Sequence, residues 1–571
     1  MMRLMFPEAP TSWKIGLKIG LMAGLGLLVF WPALWGGWLW DDVLYLTGNQ
    51  LMDDPARLWK AWFVPGSFIE YYPLEQTVQW VQWQLWGRET LPYHLTNLAL
   101  HLTNGLLVWR LLARFHLRGA WLGGLLFIVH PMNVESVAYI AELKNTLSLP
   151  LFLLACVAWI DFEERGDRRG YLLALALFVA AMLCKISMVM FPFVLLLYAW
   201  WKRGRIDATD AVRTAPFFLV SAILGLMTIS AGYHFAGLDP SRLPAPVVGD
   251  LGQRLLLAGE TLAFYFARFF WPVTPLPMYP PWNIDSLPAA ILPWIFAAAA
   301  LVFLWPRRAG WGRHALLGLG FFFLNLLPFS GLIPASYMNF TWAMDHFLYL
   351  PMIGPIGLVV AGWEQIHFRL PVLFRRVDGA LIAVPVLLLT AQAQDAAGAW
   401  ADRATLWSYT VANNPGAWLA HYNLANELRV QKHPEQAAAE YRAALAINPG
   451  FAWAHDNLGL ALFDLQDDDG AIAEYREALR LRPDLAEAHN NLGNALLREP
   501  ARVAEAIAEY RAALQLQPGL AAAHFNLGVA LLQYPGHETE ATPEFEEALR
   551  LDPALQAARN ALDPRAPAGG P

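Results

Sequence analysis

The sequence predicts an all-α protein in two parts. The first is a polytopic membrane domain of about eleven spans over residues 1–400, and the second is an α-solenoid over residues 416–553. Three observations carry this reading. Charged residues make up only 15% of the 571, where a soluble domain holds about a quarter, and 57% are hydrophobic, giving a mean hydropathy of +0.35. The charge is unevenly divided: residues 401–571 hold 23 acidic and 13 basic side chains, net −10, and residues 1–400 hold 24 and 27, net +3. The last third of the chain also repeats itself every 34 or 35 residues.

Stretches long and apolar enough to span, roughly 17–25 residues, fall at about 14–35, 94–113, 119–138, 144–162, 171–184, 187–201, 214–232, 288–305, 314–330, 346–364 and 379–396. The 26 tryptophans suit interface positions. Arg3, Lys14 and Lys18 mark the first span as a signal anchor with a cytoplasmic start. Five short basic loops, at 114–118, 164–170, 201–205, 306–313 and 367–376, then read as cytoplasmic. This requires 254–271, with Glu260 and Arg268, to be re-entrant or interfacial. The result is eleven spans, a cytoplasmic N-terminus and a C-terminal part outside a cell inner membrane. A large first outside loop covers 36–93. Cys156 and Cys184 lie in apolar runs and read as small buried hydrophobes. No metal spacing is present, and no basic stripe suggests nucleic acid.

The repeat is explicit. Asn-Leu-Gly/Ala recurs at Asn423, Asn457, Asn491 and Asn526, Glu-Tyr-Arg at Glu440, Glu474 and Glu509, and proline at Pro415, Pro449, Pro483, Pro518 and Pro553. This is the tetratricopeptide period. Four repeats fit 416–553, preceded at 401–415 by a linker and a degenerate repeat helix and followed at 554–571 by a disordered tail. Such a solenoid presents a concave face to a peptide or protein. His455, His489 and His524 recur with the period and read as packing or groove-lining residues.

With this topology the remaining polar clusters share the outside face, and so many ionisable groups near a bilayer imply a shared polar cavity. Asp41 and Asp42 open the first loop, where partial desolvation raises proton affinity and suits a general base. A helix N-cap is the competing role for either one. Lys144, Lys185 and Arg268 are cations able to neutralise a phosphate leaving group. His94, His130, Glu135, Asp345 and His346 complete the cavity, with Glu135 read as a charge partner. A base, a cationic phosphate site and a membrane-embedded cavity suggest transfer from a lipid-phosphate donor, and no metal or cofactor enters.

The order "WDD", "YYPLEQ", "YHLTNLALH", "FIVHPMNVESVAYIAELKNTLS", "CKIS", "WPVTPLPMYP", "DHFLYLPMIG" and then tetratricopeptide repeats resembles the transmembrane-and-tetratricopeptide-repeat O-mannosyltransferases, of the GT-C glycosyltransferase class. The resemblance runs over nearly the whole chain. It implies a polyprenyl-phosphate-linked sugar donor, an inverting single displacement and a catalytic base at Asp41 or Asp42; the acceptor reads as a protein Ser/Thr held or delivered by the repeats, with a glycan as the other hydroxyl donor open to it. Three positions depart from the family pattern, namely Leu143 in Leu-Lys-Asn, Ile186 after Lys185, and His346 after Asp345. Each removes or weakens a charge of the expected donor site. They motivate the alternative of a membrane-anchored repeat scaffold for envelope assembly with an inactive GT-C-like domain.

Overall fold

The computed structural model describes residues 12–68, 70–235, 249–282, 287–369 and 378–562. It divides at Tyr409/Thr410 into two compact units. Most of those described residues are helical, with no strand among them.

The longer helices of the first unit are α1 (Ser12–Phe30), α2 (Pro73–Trp86), α3 (Leu91–Arg114), α4 (Ala120–Val129), α5 (Leu143–Arg165), α6 (Arg168–Met182), α7 (Phe191–Arg203), α8 (Ala208–Phe235), α9 (Leu251–Phe270), α10 (Leu287–Leu304), α11 (Trp311–Leu326), α12 (Ile353–Arg369), α13 (Asp378–Ala399) and α14 (Arg403–Asn413). Among the described residues, seven helical segments are long and apolar enough to cross a bilayer alone: Trp13–Phe30, Ile140–Arg165, Ile186–Arg203, Ala208–Ala231, Ala290–Arg307, Trp311–Phe329 and Gly379–Ala399. The other expected spans are helical but differ in character. α3 buries His94, Asn97, His101 and Asn104 along one face, and α4 has only 10 residues. The segment 254–271 is α9, capped by Asp250 and Gln253 in a reciprocal box.

Close helix crossings depend on glycine. A Cβ on Gly124 of α4 would lie 2.4 Å from the Gly105 carbonyl of α3, and one on Gly354 of α12 would lie 2.2 Å from the Gly318 carbonyl of α11. Around these crossings the backbone is short and irregular at one end of the bundle. Single turns occupy Pro131–Asn133, Ile140–Glu142, Ile186–Met190 and Asp345–Leu348. Proline or an extended residue precedes them, which stops the helix and frees amides to bind side chains.

The basic loops meet at the opposite end. Arg114 pairs with Asp161 and, at 3.1 Å, with Glu164. Arg203 pairs with Asp210 and, at 2.8 Å, with Glu163, which also takes Arg213 at 3.2 Å. Trp201 donates to His314 at 3.0 Å, bringing the 306–313 loop to the same place. The expected basic loop at 367–376 lies largely outside the described residues.

The second unit is a stack of helical hairpins: α15 (Trp418–Val430) with α16 (Pro434–Ile447), α17 (Ala452–Asp464) with α18 (Asp468–Leu481), α19 (Ala486–Leu497) with α20 (Val503–Leu516), and α21 (Ala521–Leu532) with α22 (Ala541–Leu551). The glycine of each Asn-Leu-Gly triplet admits an aromatic ring. Cβ positions on Gly459, Gly493 and Gly528 would sit 2.6 Å from rings of Tyr475, Tyr510 and Phe545. The recurring histidines bind both ways. His421, His455, His489 and His524 each place Nδ1 2.6 Å from a glutamate (Glu440, Glu474, Glu509, Glu544) and Nε2 3.0–3.2 Å from a proline carbonyl. One expectation is corrected. Part of the tail assigned to disorder, Gln556–Leu562, forms α23, because its apolar Ala558 packs on the last hairpin. Residues 563–571 lie outside the described residues.

Candidate active site

The two aspartates of the first loop have different surroundings. Asp42 is fully buried, and both its oxygens are occupied by backbone amides, Oδ2 by Leu39 N–H at 2.8 Å and Oδ1 by Ala141 N–H at 2.7 Å. Burial pushes its pKa up to about 8, against the pull of those amides. It therefore acts as a clamp between the first loop and the 140–142 turn. Asp41 is half-buried; its own N–H donates to the Tyr139 hydroxyl at 2.6 Å. Burial also raises its carboxyl, to about 6, with Lys144 and the Tyr139 hydroxyl holding it down and Glu142 and Glu70 pushing it up. A carboxyl tuned toward neutrality and facing a charged cluster is suited to accept a proton.

That cluster converges from four separate segments. Lys144, one residue into α5, pairs with Glu70 at 3.0 Å and lies 3.8 Å from Glu142. Its ammonium also sits 5.0 Å from the Tyr45 ring, whose hydroxyl donates to Glu70 at 3.0 Å. Lys185, at the break before α7, pairs with Glu142 at 3.3 Å and donates to Asn145 at 2.6 Å; Asn145 in turn donates to Glu142. His346 places Nδ1 2.9 Å from Glu135 and 3.8 Å from Glu142, and its amide donates to Glu135 at 3.0 Å. Glu142 is thus the hub, touching Lys144, Lys185, Asn145 and His346. Both lysines are buried, and burying such charges is tolerable because each has a carboxylate partner. Asn145, Lys185 and His346 line a small crevice together with Ser187 and Asn325.

The sequence-predicted residues divide accordingly. Asp41, Asp42, Lys144, Lys185, Glu135 and His346 come together. Arg268 stands in a second group, stacked 4.8 Å over the Tyr279 ring and bonded to the Val273 carbonyl, while Tyr279 donates to Asp345 at 2.7 Å. His130 uses both ring nitrogens on backbone, with Nε2 3.0 Å from the Phe269 carbonyl and Nδ1 accepting from Met132 N–H at 3.3 Å. His94 meets the Gly36 carbonyl at 3.3 Å. Both therefore hold loops in place. Sequence reasoning missed Glu70, Glu142 and Asn145. Glu142 and Asn145 flank Lys144 within the quoted "AELKN", and an acid two residues from a lysine beside a helix break was the available signal. Among the described residues, no group of three His, Cys, Asp or Glu is arranged to hold a metal ion.

Residues 73–233, which include α2, Glu142, Lys144 and Lys185, match the family model described as dolichyl-phosphate-mannose-protein mannosyltransferase. Residues 418–451, 459–499 and 502–533 match tetratricopeptide-repeat models. The chain is similar to the transmembrane-and-tetratricopeptide-repeat O-mannosyltransferases. It is 26% identical over 503 residues to protein O-mannosyl-transferase TMTC4 of Mus musculus, covering 76% of this chain and 66% of the relative. It is 26% identical over 492 residues to TMTC1 of Homo sapiens, covering 74% and 54%. The chain thus spans between about half and two thirds of the length of these relatives. Among solved structures, the crystal structure of MamA protein is 21% identical at a TM-score of 0.24, covering 26% of this chain and 81% of that one.

Proposed function

We propose that the chain is a membrane glycosyltransferase that moves a mannosyl group from a polyprenyl-phosphate donor to a hydroxyl of a protein Ser or Thr. The reaction takes place on the extracytoplasmic face of a cell inner membrane, and the tetratricopeptide repeats present the acceptor. The observation that carries this is the division of labour at the first loop. Asp42 is consumed by two amides, and Asp41, pushed up to about 6 by burial, stands within the fields of Lys144, Glu142 and Glu70. In the reaction the acceptor oxygen attacks C1 of the sugar and its proton passes to Asp41. The bond from C1 to the phosphate oxygen breaks with its electron pair staying on the phosphate, and the configuration at C1 inverts. Lys144 and Lys185 receive the lipid phosphate, exchanging contacts with Glu70 and Glu142 as charge arrives. No cofactor is needed, since the donor supplies the activated sugar.

The test is label transfer in membranes containing the full chain, with radiolabelled polyprenyl-phosphate mannose and, beside it, the glucose donor. Label reaching protein with wild type and lost in Asp41→Asn supports the reading. Absence of transfer from every donor, with the protein folded and inserted, overturns it in favour of the repeat scaffold.

A further inference from the structure

At the end of the bundle away from the acidic loop lies an apolar cavity of about 1000 Å³ between α3, α5, α7, α11 and α12. Its deep wall includes Leu112, Cys156, Trp159 and Phe321, and its rim includes Trp311 and His314. Along α5, Trp159 is fifteen residues from Lys144, about 22 Å at the α-helical rise, so this cavity is not part of the proposed transfer site. One hydrogen-bond donor of the lining is buried without a partner. It is the indole N–H of Trp159, which is 3% exposed; Nε of Arg313, next in sequence to the rim residue His314 and outside the lining itself, is buried without a partner as well. A buried donor without an acceptor costs roughly 1–3 kcal/mol, so the cavity calls for a ligand carrying acceptor oxygens as well as an apolar body. The 306–313 loop, which supplies the rim residues Gly310 and Trp311, carries charge of a matching sign. Arg307, Arg308 and Arg313 form no ion pair with a carboxylate among the described residues, and Arg307 and Arg308 turn to the carbonyls of Phe303 at 2.5 Å and Trp305 at 2.9 Å. The rim acid Glu364 is engaged by the Gly119 amide at 2.5 Å.

We infer that this cavity binds one anionic glycerophospholipid, with an acyl chain in the apolar body, ester oxygens at Trp159, and the phosphate at Arg313 and the neighbouring arginines. An acyl chain fills such a volume, an ester carbonyl supplies the acceptor that the indole lacks, and a phosphate balances the unpaired guanidiniums. A headgroup at this rim places the lipid in the leaflet of the basic loops.

The test is native mass spectrometry of the full chain released from nanodiscs of equal parts dioleoylphosphatidylglycerol and dioleoylphosphatidylcholine. Wild type is expected to retain one phosphatidylglycerol, at least fivefold over phosphatidylcholine. Gly362→Trp, at a rim position where an added Cβ meets nothing within 4 Å, is expected to lower retention at least fivefold. Gly379→Trp on α13, with the same open space, is expected to leave it unchanged. Trp159→Phe with Arg313→Gln is expected to abolish the headgroup preference. If Gly362→Trp fails to assemble, Ala315→Phe fills the same cavity. Equal retention of both lipids by wild type, undiminished retention in the filled variants, or one-for-one displacement of phosphatidylglycerol by added polyprenyl phosphate would each overturn the assignment.

Discussion

The Asp42 carboxylate and the Ala141 amide, 99 residues apart in sequence, meet at 2.7 Å. This contact fastens the first loop to the turn that carries Glu142 and precedes Lys144. It also gives two neighbouring aspartates different surroundings, Asp42 clamped by two amides and Asp41 left as the proposed base, and the difference is measurable.

Asp41→Asn is expected to lower sugar transfer about 10³-fold, within the range for loss of a general base, with thermal stability in detergent unchanged. Asp42→Ala is expected to lower stability by about 2 kcal/mol or more, because two buried amides lose their acceptor. Asp42→Asn, which keeps one oxygen, should fall between. Equal melting temperatures for Asp42→Ala and wild type would remove the clamp.

Glu142→Gln is expected to destabilise the membrane unit by about 3 kcal/mol, because it leaves the buried Lys185 facing a neutral amide. Pairing it with Lys185→Met should recover much of that loss, so the double-mutant cycle should show coupling above about 1 kcal/mol. Additive effects in thermal unfolding would show that the 3.3 Å pair is not energetically linked.

The solenoid is expected to loosen as pH rises. His455 and His489 each face two acceptors, a glutamate carboxylate and a proline carbonyl, an arrangement that both ring nitrogens satisfy only as donors. The carboxylate hydrogen bonds raise both pKa values above the ordinary histidine value, against the effect of burial, and Glu477 adds to the pull on His455. A raised native value means that the stabilisation is complete below the unfolded value of about 6.5 and is lost as pH climbs through the native value. Hydrogen exchange in α17–α20, corrected for intrinsic rates, should show greater protection at pH 6 than at pH 8.5. His455→Gln with His489→Gln should flatten that difference.

Gly493→Ala is expected to cost about 1–3 kcal/mol in local stability of the third hairpin, as overpacking does, since its Cβ would meet the Tyr510 ring at 2.6 Å. The same hydrogen-exchange measurement reads it, and Gly519→Ala, with open space, serves as the comparison.

The repeats were legible because their information is local. Asn457, Gly459, Tyr475 and Pro483 do the same work in each copy, so spacing alone exposes them. The bundle was legible in outline for the same reason, since apolar length and basic loops are properties of single segments. The α23 helix escaped because Pro-, Ala- and Gly-rich flanks resemble a tail and only contact with the preceding hairpin orders it. The roles within the site were less accessible. Nothing in "WDD" says that Asp42 meets Ala141, and Glu70 and Glu142 acquire meaning only when distant segments bring Lys144 and Lys185 beside them. Arg268 looked like a phosphate ligand by charge and position, but its guanidinium lies over Tyr279.

The His346 amide reaches Glu135 across 211 residues, and Arg403 reaches the Trp38 carbonyl at 2.9 Å across 365. During synthesis, then, the acidic segment 135–142 enters the bilayer region long before its late partners exist. The first loop is latched only after the final apolar helix of this unit has been made. The polar centre is therefore a late product of biogenesis. A chain arrested before residue 346 would leave Glu135 without its partner, a signal that membrane quality-control proteases can recognise in an unfinished molecule.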